Sequence, residues 1–156
     1  TANIEQQTLS AQFRLNYTFT PNFSLQFYAQ PFVSTGRYSN FNYITDATAD
    51  NLADRFQLYN DNQISLENGT YNVDDTENGT TDYSFSNPDF AFSQLNTNLV
   101  LRWEYIPGSE LFLVWSLNGN AFEQPDNHIA STLTDFVTES RHSNTFLLKA
   151  TYRFVL

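Results

Sequence analysis

The chain has 156 residues, of which 40% are hydrophobic and 17% aromatic, and it carries a formal net charge of −10. It contains no cysteine, which excludes disulfides and thiolate chemistry. Because acidic residues are in excess, the sequence offers no basic stripe that would neutralise the phosphates of a nucleic acid. No run of 18 apolar residues is present for a transmembrane helix, although a transmembrane strand gives a much weaker signal.

The first predicted element is a tight hairpin. From Leu9 to Phe19 every odd position is apolar or aromatic and every even position is polar, a period of two that indicates a strand. Thr-Pro-Asn at 20–22 supplies a turn, after which the alternation resumes. We predict strands at about 8–19 and 23–33. The expected cross-strand pairs are Phe19 with Phe23, Tyr17 with Leu25, Leu15 with Phe27 and Asn16 with Gln26.

A second hairpin and a final strand repeat the pattern. Alternating segments flank a Pro-Gly turn at 107–108, which predicts strands at about 93–106 and 110–118. The last alternating segment predicts a strand at about 144–156. Spans of this length suit a tilted strand that crosses a bilayer.

Two longer segments, 34–92 and 119–143, are predicted to be loops. Residues 34–91 and 118–144 hold 14 of the 17 acidic residues, so the negative charge belongs to these loops. Asn68-Gly69 lies between short alternating fragments and predicts a small type I′ hairpin inside the first loop.

Short turns that alternate with long loops are typical of outer-membrane barrels. We therefore predict an all-β fold, an antiparallel up-and-down transmembrane β-barrel segment with five spanning strands and two long extracellular loops. The C-terminus would then be periplasmic. Five is an odd number, so the remaining strands would come from the rest of a longer chain or from another subunit. A soluble antiparallel sandwich shows the same alternation and is the alternative.

The two faces of the strands have different expected roles. Aromatic residues near the periplasmic ends are predicted to form a girdle at the lipid interface: Tyr17, Phe19, Phe23, Trp103, Tyr105, Tyr152 and Phe154. Charged residues on the other face are predicted to point into the lumen, where they would line a permeation path or pair with one another: Arg14, Arg102, Glu104, Lys149 and Arg153.

Two stretches carry a family resemblance, SFSNPDFAFSQLNTNLVLRWEYIPGSELFLVW at 84–115 and the ending NTFLLKATYRFVL. They resemble the C-terminal barrel domain of a Gram-negative family of outer-membrane proteins of unknown function. Members of that family carry an N-terminal family 9 carbohydrate-binding-like module. The resemblance implies an anchored barrel in outer-membrane lipid, linked to a surface glycan. It brings no catalytic residues.

The segment 74–82 is a candidate calcium loop. Taking Asp74 as position one puts Asn78 at five, Gly79 at the sharp turn, Thr80 at seven and Asp82 at nine. Position three lacks a carboxylate and position twelve is Phe85 instead of Glu. The segment is therefore predicted either to bind calcium or to be a solvated acidic turn.

Catalytic residue types occur at His142, Ser143 and Asn144, but neighbours in a strand point to opposite faces, so His142 and Ser143 should not meet. His128 has no metal-binding partner pattern and is predicted to be an exposed loop residue. We predict a non-enzymatic segment that anchors or forms a pore and is linked to carbohydrate binding or uptake. The alternatives are an outer-membrane barrel hydrolase and a soluble β-sandwich binding module.

Overall fold

The computed structural model describes residues 1–125, 128–139 and 142–154. Over these residues the chain is all-β, with antiparallel sheets and one α-helix. The chain forms two compact units. We call Thr1–Gln6 with Gly36–Phe90 the acidic unit, and Gln7–Thr35 with Ala91–Leu156 the sheet unit. No helix among the described residues is long and apolar enough to cross a membrane.

The elements follow one another along the chain with one helix near the end. The strands are β1 (Asn3–Ser10), β2 (Phe13–Thr20), β3 (Phe23–Ser39), β4 (Asn42–Ile44), β5 (Phe56–Leu58), β6 (Ile64–Glu67), β7 (Thr70–Val73), β8 (Tyr83–Ser86), β9 (Phe90–Ile106), β10 (Ser109–Glu123) and β11 (Ser143–Ala150). The helix is α1 (Ile129–Glu139), and a 3-10 turn at Leu52–Arg55 precedes β5.

The largest sheet has the order β1-β3-β9-β10-β11, and β2 also pairs with β3. The segment predicted as one strand at 8–19 is interrupted at Ala11-Gln12, where the Ala11 amide donates to the Pro31 carbonyl over 3.1 Å. Pro31 has no amide hydrogen to return, so the ladder cannot continue unbroken at this point. The predicted uninterrupted strand was therefore wrong at its start.

The predicted register of the first hairpin is confirmed in its body. Tyr17 lies opposite Leu25, Leu15 opposite Phe27 and Asn16 opposite Gln26. The pair next to the turn differs from the prediction, because the ladder shifts by one residue and Phe23 lies opposite Thr20. The rings of Phe19 and Phe23 still stack, with centroids 4.8 Å apart.

The strands extend into both segments predicted as loops. β3 continues to Ser39, β9 begins at Phe90, and β10 runs to Glu123, where it remains paired with Ala91 of β9. Backbone pairing continues there although apolar and polar residues no longer alternate in the sequence. β11 ends at Ala150, yet Thr151 still exchanges two backbone hydrogen bonds with Glu110. Residues 155 and 156 of the predicted last strand lie outside the described residues.

The acidic unit contains two small sheets. The predicted hairpin is confirmed, since β6 pairs with β7 and both Asn68 (φ 50°) and Gly69 (φ 77°) adopt the left-handed conformation of a type I′ turn. β8 adds a third strand to this sheet, and β4 pairs with β5. Neither β8 nor the β4-β5 pair was predicted. The fully buried Val73 marks the core of this unit.

Candidate functional site: a two-faced sheet

One face of the sheet unit is apolar across β9, β10 and β11. Leu113 of β10 lies opposite Leu101 on one side and opposite Leu148 on the other. The neighbouring row places Trp115 between Leu99 and Phe146. Because side chains alternate along a strand, these rows all belong to the same face.

This apolar face is largely uncovered. Its exposed large side chains are Phe13, Leu15, Tyr17, Phe19, Trp103, Tyr105, Leu113, Phe146, Leu148, Tyr152 and Phe154. A large apolar or aromatic side chain offers roughly 150–250 Å², so half-exposed side chains in this number present on the order of 1,000 Å². Monomeric soluble proteins rarely expose more than a few hundred Å² of contiguous apolar surface. The face is thus large enough to require a lipid or protein environment.

The residues predicted to form a girdle gather at the end of the sheet that carries both short turns. Tyr17 and Phe19 meet edge to face at 4.8 Å, and Tyr152 and Phe154 do so at 4.9 Å. Trp103 and Tyr105 lie 6.0 Å apart. The two turns are neighbours in space, because the Glu104 amide of β9 donates to the Asn22 carbonyl over 2.8 Å.

The opposite face is mixed, because it carries the charged residues together with an apolar row in which Val114 lies between Val100 and Leu147. Arg102 forms an ion pair with Glu110, to which its Nε donates at 2.8 Å, and it lies 3.7 Å from Glu104. Glu110 lies directly opposite Glu104 across the hairpin and was not among the charged residues predicted for this face. Glu104 also accepts a hydrogen bond from the Gly108 amide at 2.8 Å, so its carboxylate holds the turn.

The other cations predicted for this face do not share one cluster. Arg14 lies over the ring of Tyr28 at 5.3 Å, and Lys149 lies over the ring of Phe112 at 5.7 Å. Arg153 covers the turn, where a Cβ added to Gly108 would lie 2.6 Å from Arg153 Cδ. Among the described contacts neither Arg14 nor Lys149 forms an ion pair.

A cavity of about 320 Å³ opens on this polar face beside β2, β3 and β9. Its wall contains a cation and several amide side chains, and the lining residues are Arg14, Asn16, Gln26, Phe27, Tyr28, Asn98 and Val100. The wall thus combines one cation and three amide side chains with the apolar side chains of Phe27 and Val100.

The sheet is open at both edges. β1 and β2 lie along one edge beside β3, and β11 lies along the other beside β10. Every residue of β2 and of β11 is exposed. Within the described part of the chain no strand pairs with the outer side of β2 or of β11, which leaves backbone donors and acceptors that can pair with further strands.

The upper part of the apolar face, away from the short turns, carries small residues and the helix α1. Ala91 and Ser93 are buried there, as are Thr132 and Phe136 of α1. An apolar cleft of about 350 Å³ is lined by Leu133 and Val137 of the helix together with sheet residues such as Phe13 and Leu95. The helix α1 was not predicted.

The candidate calcium loop is held by its own hydrogen bonds. The Asp74 carboxylate accepts from the amides of Asn78 at 3.1 Å and Gly79 at 2.7 Å. Asp82 accepts from the Asp75 amide at 2.8 Å, and Asn78 Oδ1 accepts from the Thr80 amide at 2.8 Å. Partial desolvation alone would raise the pKa of Asp74, but the backbone amides of the loop outweigh it and lower that pKa.

No group of three or more His, Cys, Asp or Glu side chains converges within the part of the chain that the structure describes. Asp74, Asn78, Thr80 and Asp82 do share one small loop, and calcium binding there stays a prediction.

The three residues of catalytic type, His142, Ser143 and Asn144, do not form a catalytic group around the Ser143 hydroxyl. Asn144 Oδ1 accepts a hydrogen bond from Trp115 Nε1 at 2.9 Å, and Ser143 is exposed on β11 opposite Asn118. His142 packs edge to face against Phe136 at 5.2 Å, and its buried Nε2 has no hydrogen-bond partner among the described residues. His128 lies at the start of α1, where its carbonyl accepts from Ser131 Oγ at 2.7 Å.

Comparison of the chain with protein-family models, with curated proteins and with solved structures found no match. The resemblance drawn from the sequence therefore stays a prediction.

Proposed function

We propose that the sheet unit is part of an outer-membrane β-barrel, that its apolar face contacts lipid, and that its polar face lines the barrel interior. The observation that carries this proposal is the separation of faces. Leucines and aromatic rings occupy one face of β2, β9, β10 and β11, whereas the ion-paired Arg102 and the other cations lie on the opposite face.

The height of the apolar face fits a bilayer. From Leu95 to Tyr105 the face rises over ten residue steps of β9, or about 33 Å at ~3.3 Å per step. A strand tilt of about 40° shortens this to roughly 25 Å, the height of the apolar band on outer-membrane barrels. The aromatic group at the turn end then lies at one lipid interface, and α1 lies near the other.

The open edges favour completion by further strands. In hydrocarbon, each unsatisfied backbone group costs several kcal/mol, so β2 and β11 need partners. We propose that these come from the rest of a longer chain or from another subunit. The role is then anchoring or pore formation, and the cation and three amide side chains in the wall of the cavity beside β2 support a hydrated interior. The link to surface carbohydrate rests on the sequence resemblance.

The second candidate is a soluble binding module whose apolar face is covered by a protein partner. The extent of the exposed face fits a protein partner as well as it fits lipid, since protein interfaces of about 800 Å² per partner are common. The aromatic end and the fit to bilayer height favour lipid.

Leu147 and Leu148 provide a matched test. They are neighbours on β11, they are the same residue type with 56% and 68% exposure, and they point to opposite faces. We expect Leu148→Arg to reduce the fraction of purified protein that floats with lipid vesicles, because an arginine near the bilayer midplane costs about 2–4 kcal/mol. Leu147→Arg should leave that fraction close to the wild-type value.

Equal loss in both variants would contradict the assignment of faces. Recovery of the wild-type protein as a monomer that needs neither detergent nor vesicles would contradict the membrane proposal itself.

A further inference from the structure

The cleft of about 350 Å³ between α1 and the sheet gives the apolar face a concave site. On the sheet side Phe13 of β2 lies directly opposite Ala29 of β3, and Leu95 of β9 also lines the cleft. Phe13 is half-exposed and belongs to the face that we assign to lipid. The cleft is therefore continuous with that face, at the end away from the short turns.

The helix side of the cleft is also apolar. Leu133 and Val137 lie four positions apart and line it together. Thr134 and Thr138 line it beside them, yet their hydroxyl groups donate to the carbonyls of Ala130 and Thr134, both at 2.9 Å. Because these hydroxyls are bonded to the helix backbone, the described lining residues expose only apolar atoms to the cleft.

The helix is held by residues other than those that line the cleft. Thr132 and Phe136 are buried, and Phe136 packs against the ring of His142. Neither Thr132 nor Phe136 lines the cleft, whereas Val137, which does, is partly exposed. The cleft therefore does not have to close for α1 to stay in place.

We propose that this cleft binds one acyl chain of a membrane lipid. Binding of this kind rests on the proposed function, because the chain comes from the lipid that contacts the apolar face. A wall that exposes only apolar atoms favours an occupant without polar groups, and a hydrocarbon chain meets that condition. The volume lies at the lower end of the range for small-molecule sites, which suits one chain and not a whole lipid.

A peptide segment fits the same wall poorly. Its backbone would bring N–H and C=O groups into the cleft, and the apolar wall offers them no hydrogen-bond partner. Burying such groups unpaired is costly. The chemistry of the wall thus selects lipid over a protein partner.

Photocrosslinking in vesicles tests the proposal. The full chain is reconstituted in phosphatidylcholine vesicles that contain a small fraction of phosphatidylcholine with a diazirine in the middle of one acyl chain. Crosslinked residues are identified by peptide mass spectrometry. We expect crosslinks at Leu133, in the cleft, and at Leu148, on the open part of the apolar face.

Matched substitutions separate the cleft from the rest of the face. Ala29→Phe places a ring in the cleft and should reduce crosslinking at Leu133 several-fold, while crosslinking at Leu148 and flotation with vesicles stay at the wild-type level. Ala150→Phe adds the same ring to the same face near the short turns and should leave crosslinking at Leu133 unchanged. If Ala29→Phe does not fold, Val137→Phe fills the cleft from the helix side and should have the same effect.

Crosslinking at Leu148 without crosslinking at Leu133 in the wild-type protein would overturn the proposal and leave the membrane assignment intact. Crosslinking at Leu133 that neither Ala29→Phe nor Val137→Phe reduces would also overturn it, because the chain would then touch α1 from outside the cleft. Absence of crosslinking at both leucines, together with absence of flotation, would contradict the proposed function, and the acyl-chain site would fail with it.

Discussion

Asp74 shows how a single side chain holds a turn. Its two carboxylate oxygens accept the amides of Asn78 and Gly79, and Gly79 has φ 82°, a conformation that glycine adopts at little cost. The sequence pattern correctly located a tight turn at Gly79. It could not show whether the oxygens would converge on a cation, because that depends on side-chain rotamers that spacing alone does not determine.

The lowered pKa of Asp74 leads to a pH prediction. The ionised carboxylate is the form that the loop amides stabilise, so this stabilisation is complete above the usual pKa of 3.8 and is lost as the pH falls through the lower folded value. In a ¹³C NMR titration we expect the Asp74 carboxyl signal, assigned by its absence in Asp74→Asn, to have its midpoint below 3.8. A midpoint at or above that value would show that the amides do not hold the carboxylate.

At the scale of elements, alternation predicted the strands that pair locally. The period of two gives the faces and the turns give the register, so Tyr17 opposite Leu25 was predictable. The interruption at Ala11-Gln12 was not predicted, because it depends on which residue of the neighbouring strand, here Pro31, lies opposite. The extension of β9 and β10 was also missed, because backbone pairing there continues through small residues such as Ser93 and Gly119 without an apolar alternation.

The helix α1 was missed because its composition favours strands. Residues with β-branched side chains make up much of the sequence Ile-Ala-Ser-Thr-Leu-Thr-Asp-Phe-Val-Thr-Glu. The threonine hydroxyls are satisfied within the helix, as Thr134 donates to the Ala130 carbonyl and Thr138 to the Thr134 carbonyl, both at 2.9 Å. Apolar residues at 129, 133, 136 and 137 follow a helical period and were the signal that could have identified it.

Packing of α1 against the strands of its own unit should therefore control whether the helix forms. Phe136 is 4% exposed and its neighbour Val137 is 45% exposed. We expect Phe136→Ala to accelerate hydrogen exchange of the α1 amides strongly, because truncating a buried Phe costs about 3–5 kcal/mol. Val137→Ala is the matched control and should change exchange much less. Similar exchange in the two variants would mean that α1 is stable without this contact.

At the scale of the whole molecule, the formal charge is divided unevenly between the two units. The acidic unit, which holds eleven Asp and Glu residues against Arg37 and Arg55, carries −9 of the formal charge of −10, while the sheet unit is close to neutral. Such a division suits a chain with one part in lipid and another in water, since charged residues are costly only where hydrocarbon surrounds them.

The chain contains two tryptophans, and both belong to the apolar face. Trp115 lies level with Leu99, and Trp103 lies four residues closer to the short turns. The two indoles thus differ by about 13 Å along the strand and by roughly 10 Å in depth at a tilt near 40°. Each single variant, Trp103→Phe or Trp115→Phe, keeps one tryptophan on this face, and that tryptophan reports its depth.

The most direct test of the membrane assignment is quenching of these tryptophans by brominated lipids. In Trp103→Phe the remaining Trp115 should be quenched most by bromine near the middle of the acyl chain, and in Trp115→Phe the remaining Trp103 should be quenched most by bromine near the headgroup. Aqueous iodide should quench neither strongly. If iodide quenches both tryptophans while brominated lipid quenches neither, the apolar face does not contact lipid and the central claim is wrong.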